Sequence, residues 1–262
     1  MADRVIVVTG ASSGIGASLA QQLGARGPRL VLAARRADLL AQVAQRASPR
    51  ALAVPTDVTR REEVLRLRDA ALRAFGAIDV WINNAGRGIS RSVLELSDAD
   101  VDEMIAVNLK SALYGMQAVV PHFQERGAGH LINVSSFLSR IPLASPRSAY
   151  SAAKHALNAR TANLRMDLAR THPGIRVSLV MPGIVLTDFG RNALGGATTG
   201  FAPPSAGPMK PQTADEVAAA IVALIEQPRA ELYTNPAHRE LALRYFGDVA
   251  AFEGELLAPR RE

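Results

Sequence analysis

The chain opens with a β-branched run, a glycine-rich turn and an amphipathic stretch. The run is residues 4–8, the turn is Thr9-Gly-Ala-Ser-Ser-Gly-Ile-Gly16, and the amphipathic stretch covers residues 17–26. Glycines at 10, 14 and 16 allow a tight turn, a close approach of backbone to a pyrophosphate and close packing of a helix on a sheet, although their spacing differs from the commonest dinucleotide fingerprint. Phosphates bind well at a helix N-terminus, where backbone N–H groups are free. The order strand, glycine turn, helix therefore predicts a nucleotide-binding α/β fold.

Extended and helical patterns continue to alternate after this turn. The predicted strands are residues 29–34, 51–55, 79–83 and 130–135, and the predicted helices include residues 37–47 and 60–75. Such alternation is typical of a parallel sheet, and 262 residues fit one domain of this kind. Capping-box patterns at Thr59-Arg-Arg-Glu62, Ser97-Asp-Ala-Asp100 and Thr213-Ala-Asp-Glu216 predict helix starts just after Thr59, Ser97 and Thr213.

Composition excludes several other classes of protein. The chain has no cysteine, so it has neither a disulfide framework nor a thiolate metal site, and its five histidines are scattered without metal-ligand spacing. The net charge is +6, but the 27 arginines are spread along the chain without a nucleic-acid motif. No apolar run approaches the ~20 residues that span a bilayer. Because Met1-Ala-Asp-Arg runs directly into a strand, we expect a cytoplasmic protein. The other patterns in this paragraph predict no integral membrane segment, no bound metal and no nucleic-acid partner.

The segment Tyr150-Ser-Ala-Ala-Lys154 carries the chemistry that these patterns predict. Residues four apart share one face of a helix, so the Tyr150 phenol and the Lys154 ammonium lie side by side. A phenol has a pKa near ~10, and an adjacent cation favours the phenolate and draws the pKa toward the neutral range. Lys154 is one of only three lysines in an arginine-rich chain, which favours a specific role.

With these motifs in order, residues 4–233 resemble the short-chain dehydrogenase/reductase family. The resemblance implies a single-domain α/β fold, a Rossmann-type doubly wound parallel sheet of about seven strands with helices on both faces. It implies hydride transfer between a nicotinamide cofactor and a small carbonyl or secondary alcohol. The residues that it assigns to catalysis are Asn108, Ser136, Tyr150 and Lys154. Those that it and the glycine turn assign to the cofactor are Gly10, Ser12, Ser13, Gly14, Ile15, Gly16, Asp57, Val58, Asn84, Ala85, Gly86, Tyr150, Lys154, Pro182, Gly183 and Thr187.

Several of these assignments have a structural alternative. Asn83 and Asn84 can satisfy buried backbone groups, and Asp57 can cap a turn. Asn108 lies within a predicted helix, where asparagine is unfavourable, so a local reason such as an ordered water is expected. Ser136 lies one position farther from Tyr150 than is usual in the family, and Ser139 is the competing serine.

The end of the second strand indicates which cofactor is used. An NAD enzyme places an acidic residue there to accept hydrogen bonds from the ribose hydroxyls, whereas this chain has Ala34-Arg35-Arg36. A guanidinium donates to a 2′-phosphate and stacks on adenine, and Ser12 and Ser13 add hydroxyls. We therefore expect NADP(H) to be preferred over NAD(H), mainly through Arg35. Alternatively, the two arginines begin a solvated helix.

The last third of the chain shows less pattern. Residues 188–211 are rich in Gly and Pro and predict a substrate lid, with Phe189, Leu194, Phe201 and Met209 either lining an apolar pocket or anchoring the loop. Residues 237–262 form a tail, amphipathic to 257, that can pack on a neighbouring subunit. Family resemblance implies a homodimer or homotetramer through the helical faces of residues 98–124 and 150–171. Two other functions stay open, a nicotinamide-dependent epimerase or dehydratase and a dinucleotide-sensing regulator without turnover.

Overall fold

Seven parallel strands form the central sheet of the computed structural model, which describes residues 1–144, 146–196 and 209–257. The strands of this sheet are β1 (Val5–Thr9), β2 (Arg29–Ala34), β3 (Leu52–Pro55), β4 (Val80–Asn83), β5 (Gly129–Val134), β6 (Ile175–Met181) and β9 (Glu231–Tyr233). Two short strands, β7 (Val185–Leu186) and β8 (Gln212–Thr213), form a separate pair. The sheet order is β3-β2-β1-β4-β5-β6-β9. The order reverses between β1 and β4, where Val8 lies between Leu32 and Ile82, and ligands of such sheets bind at the carboxyl ends of the strands at this point.

Helices cover both faces of the sheet. They are α1 (Gly14–Gly24), α2 (Ala37–Ala47), α3 (Arg61–Phe75), α4 (Asp98–Ile105), α5 (Ser111–Arg126), α6 (Ser148–Thr171), α7 (Ala214–Glu226), α8 (Ala237–Gly247) and α9 (Val249–Leu257). One core cluster joins the sheet to α1, α2 and α7, and a second joins it to α3, α5 and α6. The predicted fold, a doubly wound parallel sheet with helices on both faces, is confirmed.

Burial on both faces explains why the strands are apolar throughout. In β1, Ile6 and Val8 face the first cluster while Val5 and Val7 face the second, and all four are buried. A strand of an antiparallel sheet with one solvated face alternates apolar and polar residues, whereas a doubly covered parallel strand does not. The apolar run at residues 4–8 therefore follows from the position of β1 at the centre of the sheet.

Two of the three predicted capping boxes are present. Ser97 and Thr213 accept the N–H groups of Asp100 and Glu216, whose carboxylates bond back to the cap residues. The prediction at Thr59 is wrong, since α3 begins at Arg61 without a side-chain cap. The Thr59 hydroxyl instead donates to Asp57, which is a nearer acceptor.

Two other segments differ from their predicted form. Helix α1 begins at Gly14, inside the glycine turn and three residues before the predicted start. The predicted tail is two helices, α8 and α9, whose buried Ala242 and Phe252 pack on Phe137 and Ile141 of the same chain; residues 258–262 lie outside the described residues.

Candidate active site

The glycine turn leaves donors for an anion at the carboxyl end of β1. Gly14 has φ +54°, and a Cβ atom at Gly16 would lie 2.3 Å from the Gly10 carbonyl oxygen, so side chains are strained or excluded at both positions. Ser13 precedes α1 without a side-chain cap bond, and the first turn has no acidic residue. The first N–H groups of the helix therefore remain available to a ligand.

A cradle lies between this turn and the segment after β7. A Cβ atom at Gly14 would lie 3.3 Å from the Thr187 methyl group and 4.0 Å from its hydroxyl, so glycine keeps this space open. A cavity of about 610 Å³ opens here, lined on one side by Gly14 and Ser18 and on the other by Thr187 and Asp188. Backbone N–H groups facing a hydroxyl suit the phosphates of a dinucleotide.

The two arginines after β2 have different surroundings. Arg36 donates through Nη2 to the Ser12 hydroxyl at 3.1 Å and to the Ser13 hydroxyl at 2.7 Å. Arg35 is exposed, and within the described part of the chain its side chain makes no hydrogen bond or ion pair. The guanidinium at the glycine turn is thus that of Arg36, for which the smaller role was predicted.

Side chains at the end of β4 hold the glycine turn in place. Asn84 donates through Nδ2 to the Thr9 and Gly10 carbonyls, and the backbone N–H groups of Asn84 and Ala85 donate to the Thr9 hydroxyl. Asn83 is buried and bonds Trp81, Asn133 and Ala112, away from the cleft. Both asparagines therefore make structural contacts.

Asp57 and Val58 also serve the local structure. The Asp57 carboxylate accepts from the Thr59 N–H and hydroxyl, and Val58 packs in the second core cluster. The turn that they form follows β3, which pairs with β2 at the edge of the sheet.

Tyr150 and Lys154 lie on one face of α6, as their spacing predicts. Both are buried, with exposed fractions of 8% and 3%. Lys154 Nζ donates to the Val134 carbonyl at 2.9 Å and lies 5.8 Å from the centroid of the Tyr150 ring. The Ser136 hydroxyl lies close enough to the Tyr150 phenol to lower its pKa, and its oxygen accepts the Leu138 N–H at 3.2 Å. A phenol, a hydroxyl and an amine thus meet at the carboxyl ends of β5 and β6.

Burial sets the ionisation of both groups. It raises the pKa of the Tyr150 phenol to about 12, while the Ser136 hydrogen bond and the charge of Arg147 act in the opposite direction. Burial lowers the pKa of the Lys154 ammonium to about 7. Arg147 is thus a second cation beside the phenol, in addition to the Lys154 that the sequence predicted.

Arg147 is the site residue that the sequence reasoning missed. It lies one helical turn before Tyr150, and spacing i, i+3 was the signal that would have found it. Its Nη1 atom would lie 2.6 Å from a Cβ at Gly88, and the Phe189 ring approaches the same glycine. The Phe189 ring also meets the Tyr150 ring edge-on, with the two centroids 5.7 Å apart. Arg147, Phe189 and Tyr150 thus surround the loop after β4.

In spite of the longer spacing, Ser136 is the serine whose hydroxyl lowers the pKa of the phenol. Ser139 is buried and bonds the Ser136 carbonyl and Asn158, while Ser135 donates to Asn158 at 2.7 Å. Both neighbours therefore have structural partners. Residues 137–139 form a short 3₁₀ turn after β5, on the path from Ser136 to α6.

Asn108 lies in a π-helical turn, residues 106–110, between α4 and α5. Its side chain accepts from the Arg87 N–H at 3.1 Å and donates to the Arg87 carbonyl at 2.9 Å. A Cβ at Gly86 would lie 3.0 Å from its Oδ1 and 3.6 Å from Lys154 Nζ. The local reason for a mid-helix asparagine is thus its bonding to the loop after β4, and π turns are frequent at functional sites.

The segment after β6 closes the other side of the cleft. The Pro182 carbonyl accepts from the Phe137 N–H at 2.7 Å, and a Cβ at Gly183 would lie 2.2 Å from His238 of α8. Leu194 packs with Tyr150, and Met209 packs beside Phe137. Phe201, with residues 197–208 of the predicted lid, lies outside the described residues.

The described residues contain neither a metal-binding cluster of side chains nor a membrane-spanning helix. No group of three or more His, Asp or Glu side chains there is arranged to hold a metal ion. None of the described helices has the length and apolar character to cross a membrane.

Comparison with known proteins identifies the family. The family model for short chain dehydrogenase matches residues 4–195. An uncharacterized oxidoreductase of Staphylococcus aureus strain N315 is 37% identical over 230 residues, covering 87% of this chain and 94% of that protein. The chain therefore belongs to the short-chain dehydrogenase family of oxidoreductases.

Solved structures agree with this membership. A short chain dehydrogenase of Burkholderia cenocepacia J2315, solved in complex with NADP, is 32% identical with a TM-score of 0.80, covering 98% of each chain. A short chain dehydrogenase/reductase of Burkholderia phymatum, solved in complex with NAD, is 25% identical with a TM-score of 0.84, covering 99% of this chain and 97% of that one. These two relatives carry different cofactors.

Proposed function

We propose that this protein interconverts a carbonyl and a secondary alcohol with NADP(H), using Tyr150 as general acid and base. The observation that carries the proposal is the buried Tyr150 phenol, with the Ser136 hydroxyl close enough to lower its pKa and Lys154 on the same helical face. The donor set at the glycine turn suits a dinucleotide. The residues that would hold it are the turn itself, Arg35, Arg36, Asn84 to Gly86, Thr187 and Lys154.

Each side chain has a distinct role in the reaction. The nicotinamide supplies the hydride in reduction and accepts it in oxidation. Tyr150 gives the phenolic proton to the carbonyl oxygen, and Ser136 donates a hydrogen bond to the developing oxyanion. Because burial raises the pKa of Tyr150 to about 12, the phenol is protonated and ready as an acid at neutral pH. In oxidation the phenol first loses its proton to solvent, and the resulting phenolate oxygen then removes the alcohol proton.

Tyr150→Phe and Ser136→Ala test the roles of these two hydroxyls. The first keeps the ring and removes the proton donor, so we expect turnover to fall by at least ~10²-fold with NADPH affinity retained. The second removes one oxyanion donor, which typically costs ~10²–10³ in kcat. Rates are measured by NADPH absorbance over a panel of ketones and aldehydes, and affinity by NADPH fluorescence.

Tyr245→Phe is the matched control, because Tyr245 lies on α8 and contacts Phe246 and Phe252 instead of the cleft. It should keep the wild-type rate. Near-normal turnover in Tyr150→Phe, or equal losses in all three variants, would contradict the proposed mechanism.

The preference for NADP(H) depends on the two arginines after β2. None of the Arg35 donors is used within the described chain, while Arg36 already points at the glycine turn. Hydrogen bonds to a charged group contribute about 1.5–3 kcal/mol, so Arg35→Ala should weaken NADPH binding by roughly 10- to 100-fold and NADH binding much less. Arg36→Ala should act in the same direction.

Arg46→Ala is the control for charge alone, since Arg46 lies on α2 and bonds only the Gln42 carbonyl. Titrations of both cofactors into each variant give the comparison. A wild-type protein that binds NADH more tightly, or arginine variants that lose both cofactors equally, would refute the preference.

A further inference from the structure

Arg147 joins the two loops that flank Tyr150. Its Nη1 atom lies 2.6 Å from the Cβ position of Gly88, in the loop after β4, and Nη2 lies 3.9 Å from that of Gly190, in the segment after β7. The Phe189 ring approaches Gly88 to 2.9 Å and covers the edge of Tyr150. The guanidinium is thus half-buried in the wall of the cleft, three residues before Tyr150, whereas Lys154 lies four residues after Tyr150.

The charge of Arg147 has no counterpart in the described protein. Nη1 is buried without a hydrogen-bond partner, and no carboxylate forms an ion pair with this side chain. Arg87, Arg91 and Arg191, which flank the same cleft, are each paired with an acid, namely Glu103, Asp100 and Asp188. A buried N–H donor without an acceptor is costly, so the position of Nη1 beside the phenol indicates a ligand that supplies the anion.

We infer that Arg147 binds a carboxylate on the substrate, which makes the substrate an oxo acid or, in the reverse direction, a hydroxy acid. This inference rests on the proposed function and adds the substrate class. A guanidinium matches a carboxylate with two parallel N–H···O bonds, a geometry that a carbonyl or hydroxyl cannot reproduce. The 2′-phosphate of a cofactor belongs at Arg35 and Arg36, at the end of β2.

The spacing limits where the carboxylate can be. Arg147 is the cap residue of α6, three positions before Tyr150, and its charge acts on the phenol, so a substrate that reaches both groups carries its carboxylate a few bonds from the carbonyl. Short 2-oxo, 4-oxo and 5-oxo acids cover this range. Phe189 supplies an apolar surface for the carbons between the two groups.

The test compares each oxo acid with its methyl ester, which removes the charge and little else. In the wild type, kcat/KM with NADPH should favour the acid by roughly 10-fold or more for at least one chain length. Arg147→Gln should lower this acid-to-ester ratio by roughly 10- to 100-fold, the value expected for charge-assisted hydrogen bonds. Arg147→Lys should give an intermediate ratio because it keeps the charge and loses the fork.

The ratio separates substrate binding from any effect on Tyr150, because a change in the phenol alters acid and ester alike. Arg91→Gln is the matched control, since Arg91 adjoins Arg147 but is paired with Asp100, and it should keep the wild-type ratio. Melting curves and NADPH affinity verify that each variant is folded. An unchanged acid-to-ester ratio in Arg147→Gln, or a wild type that prefers the ester at every chain length, overturns the inference. In either case, turnover of the esters leaves the proposed function standing.

A binding measurement decides the case in which no ketone is reduced and the proposed function fails. Benzoate and benzamide are titrated calorimetrically into the protein with and without NADP⁺. Binding of benzoate, weakened at least 10-fold by Arg147→Gln and unaffected by Arg91→Gln, supports the inference. Equal binding to wild type and Arg147→Gln, or no binding to either, overturns it.

Discussion

At the scale of single residues, His130 shows how burial fixes a protonation state. It lies in β5 with an exposed fraction of 5%, and its Nε2 is 2.8 Å from the Ser178 hydroxyl, which itself donates to the Arg229 carbonyl. This assigns the N–H to Nε2. Nδ1 is buried without a partner among the described residues, so a second proton there would have no acceptor. Burial, with smaller contributions from Arg4 and Arg176, lowers the pKa of His130 to about 4.

We predict that His130 makes the protein less stable in acid. The ordinary histidine pKa is near ~6.5, so the unfolded chain binds the proton first as the pH falls, and the free energy of unfolding decreases between about pH 6.5 and 4. The lowered pKa corresponds to a few kcal/mol at most. Urea unfolding at several pH values should show His130→Gln losing this part of the slope.

His172→Gln is the control, because His172 lies near the surface after α6 and bonds the neighbouring Thr171 hydroxyl. It should keep the wild-type slope. Parallel stability curves for wild type and His130→Gln over this pH range would show that His130 is not the group responsible.

At the scale of elements, helix starts show what local sequence can and cannot predict. Ser97 and Thr213 begin capping boxes as their spacing indicates. The same pattern fails at Thr59 because Asp57 accepts the Thr59 hydroxyl, and Glu63, instead of Glu62, reaches back to the Asp57 N–H. A motif fixes which bonds are possible, but competition among nearby acceptors decides which of them form.

The two threonines give a direct test of this difference. Thr213→Ala removes the acceptor for the Glu216 N–H, and loss of such a cap typically costs about 1 kcal/mol in the free energy of unfolding. Thr59→Ala should cost less, because no N–H of helix α3 depends on its hydroxyl. Chemical unfolding of both variants makes the comparison, and equal losses would mean that capping does not set the stability of α7.

The candidate active site likewise contains residues that local sequence predicts and residues that it does not. Tyr150, Lys154 and the glycine turn were predictable because local spacing alone fixes them on one helical face or at one strand end. Arg147 and the Arg36 contact were not, since each depends on side chains packed across loops. Ser139 was a competitor in the sequence, and only its bonds to Asn158 and the Ser136 carbonyl separate it from Ser136.

At the scale of the whole molecule, alternation of strands and helices predicted a parallel sheet but not its strand order. The order depends on which strands cross over, and that information lies in contacts between distant segments. The same holds for α8 and α9, whose periodicity predicted an apolar face but not that Phe137 and Ile141 would cover part of it. Leu243 and Phe246 of α8 stay exposed.

We propose that the protein is a homodimer or homotetramer through the faces of residues 98–124 and 150–171. Met166 lies on this part of α6 with 60% of its surface exposed, so burial in an interface would remove apolar area from water. Met166→Glu should then lower the mass found by light scattering at micromolar concentration.

Leu39→Glu provides the control, because Leu39 is similarly exposed, at 39%, but lies on α2 outside these faces. It should leave the mass unchanged. A wild-type mass near 27.8 kDa, that of one chain, would contradict the proposal.

The π-helical turn at residues 106–110 also changes the direction in which the later side chains of a long helical segment point. Its defining bond joins the Ser111 N–H to the Ala106 carbonyl, five residues back, so one residue more than usual occupies the turn. An inserted residue rotates everything after it by roughly 100°. Met104 and Val107 can therefore face Tyr150, while Ala112 and Met116 face the sheet. A deletion of one residue here would turn the second half of the segment away from its core, so the length of this turn is as constrained as its asparagine.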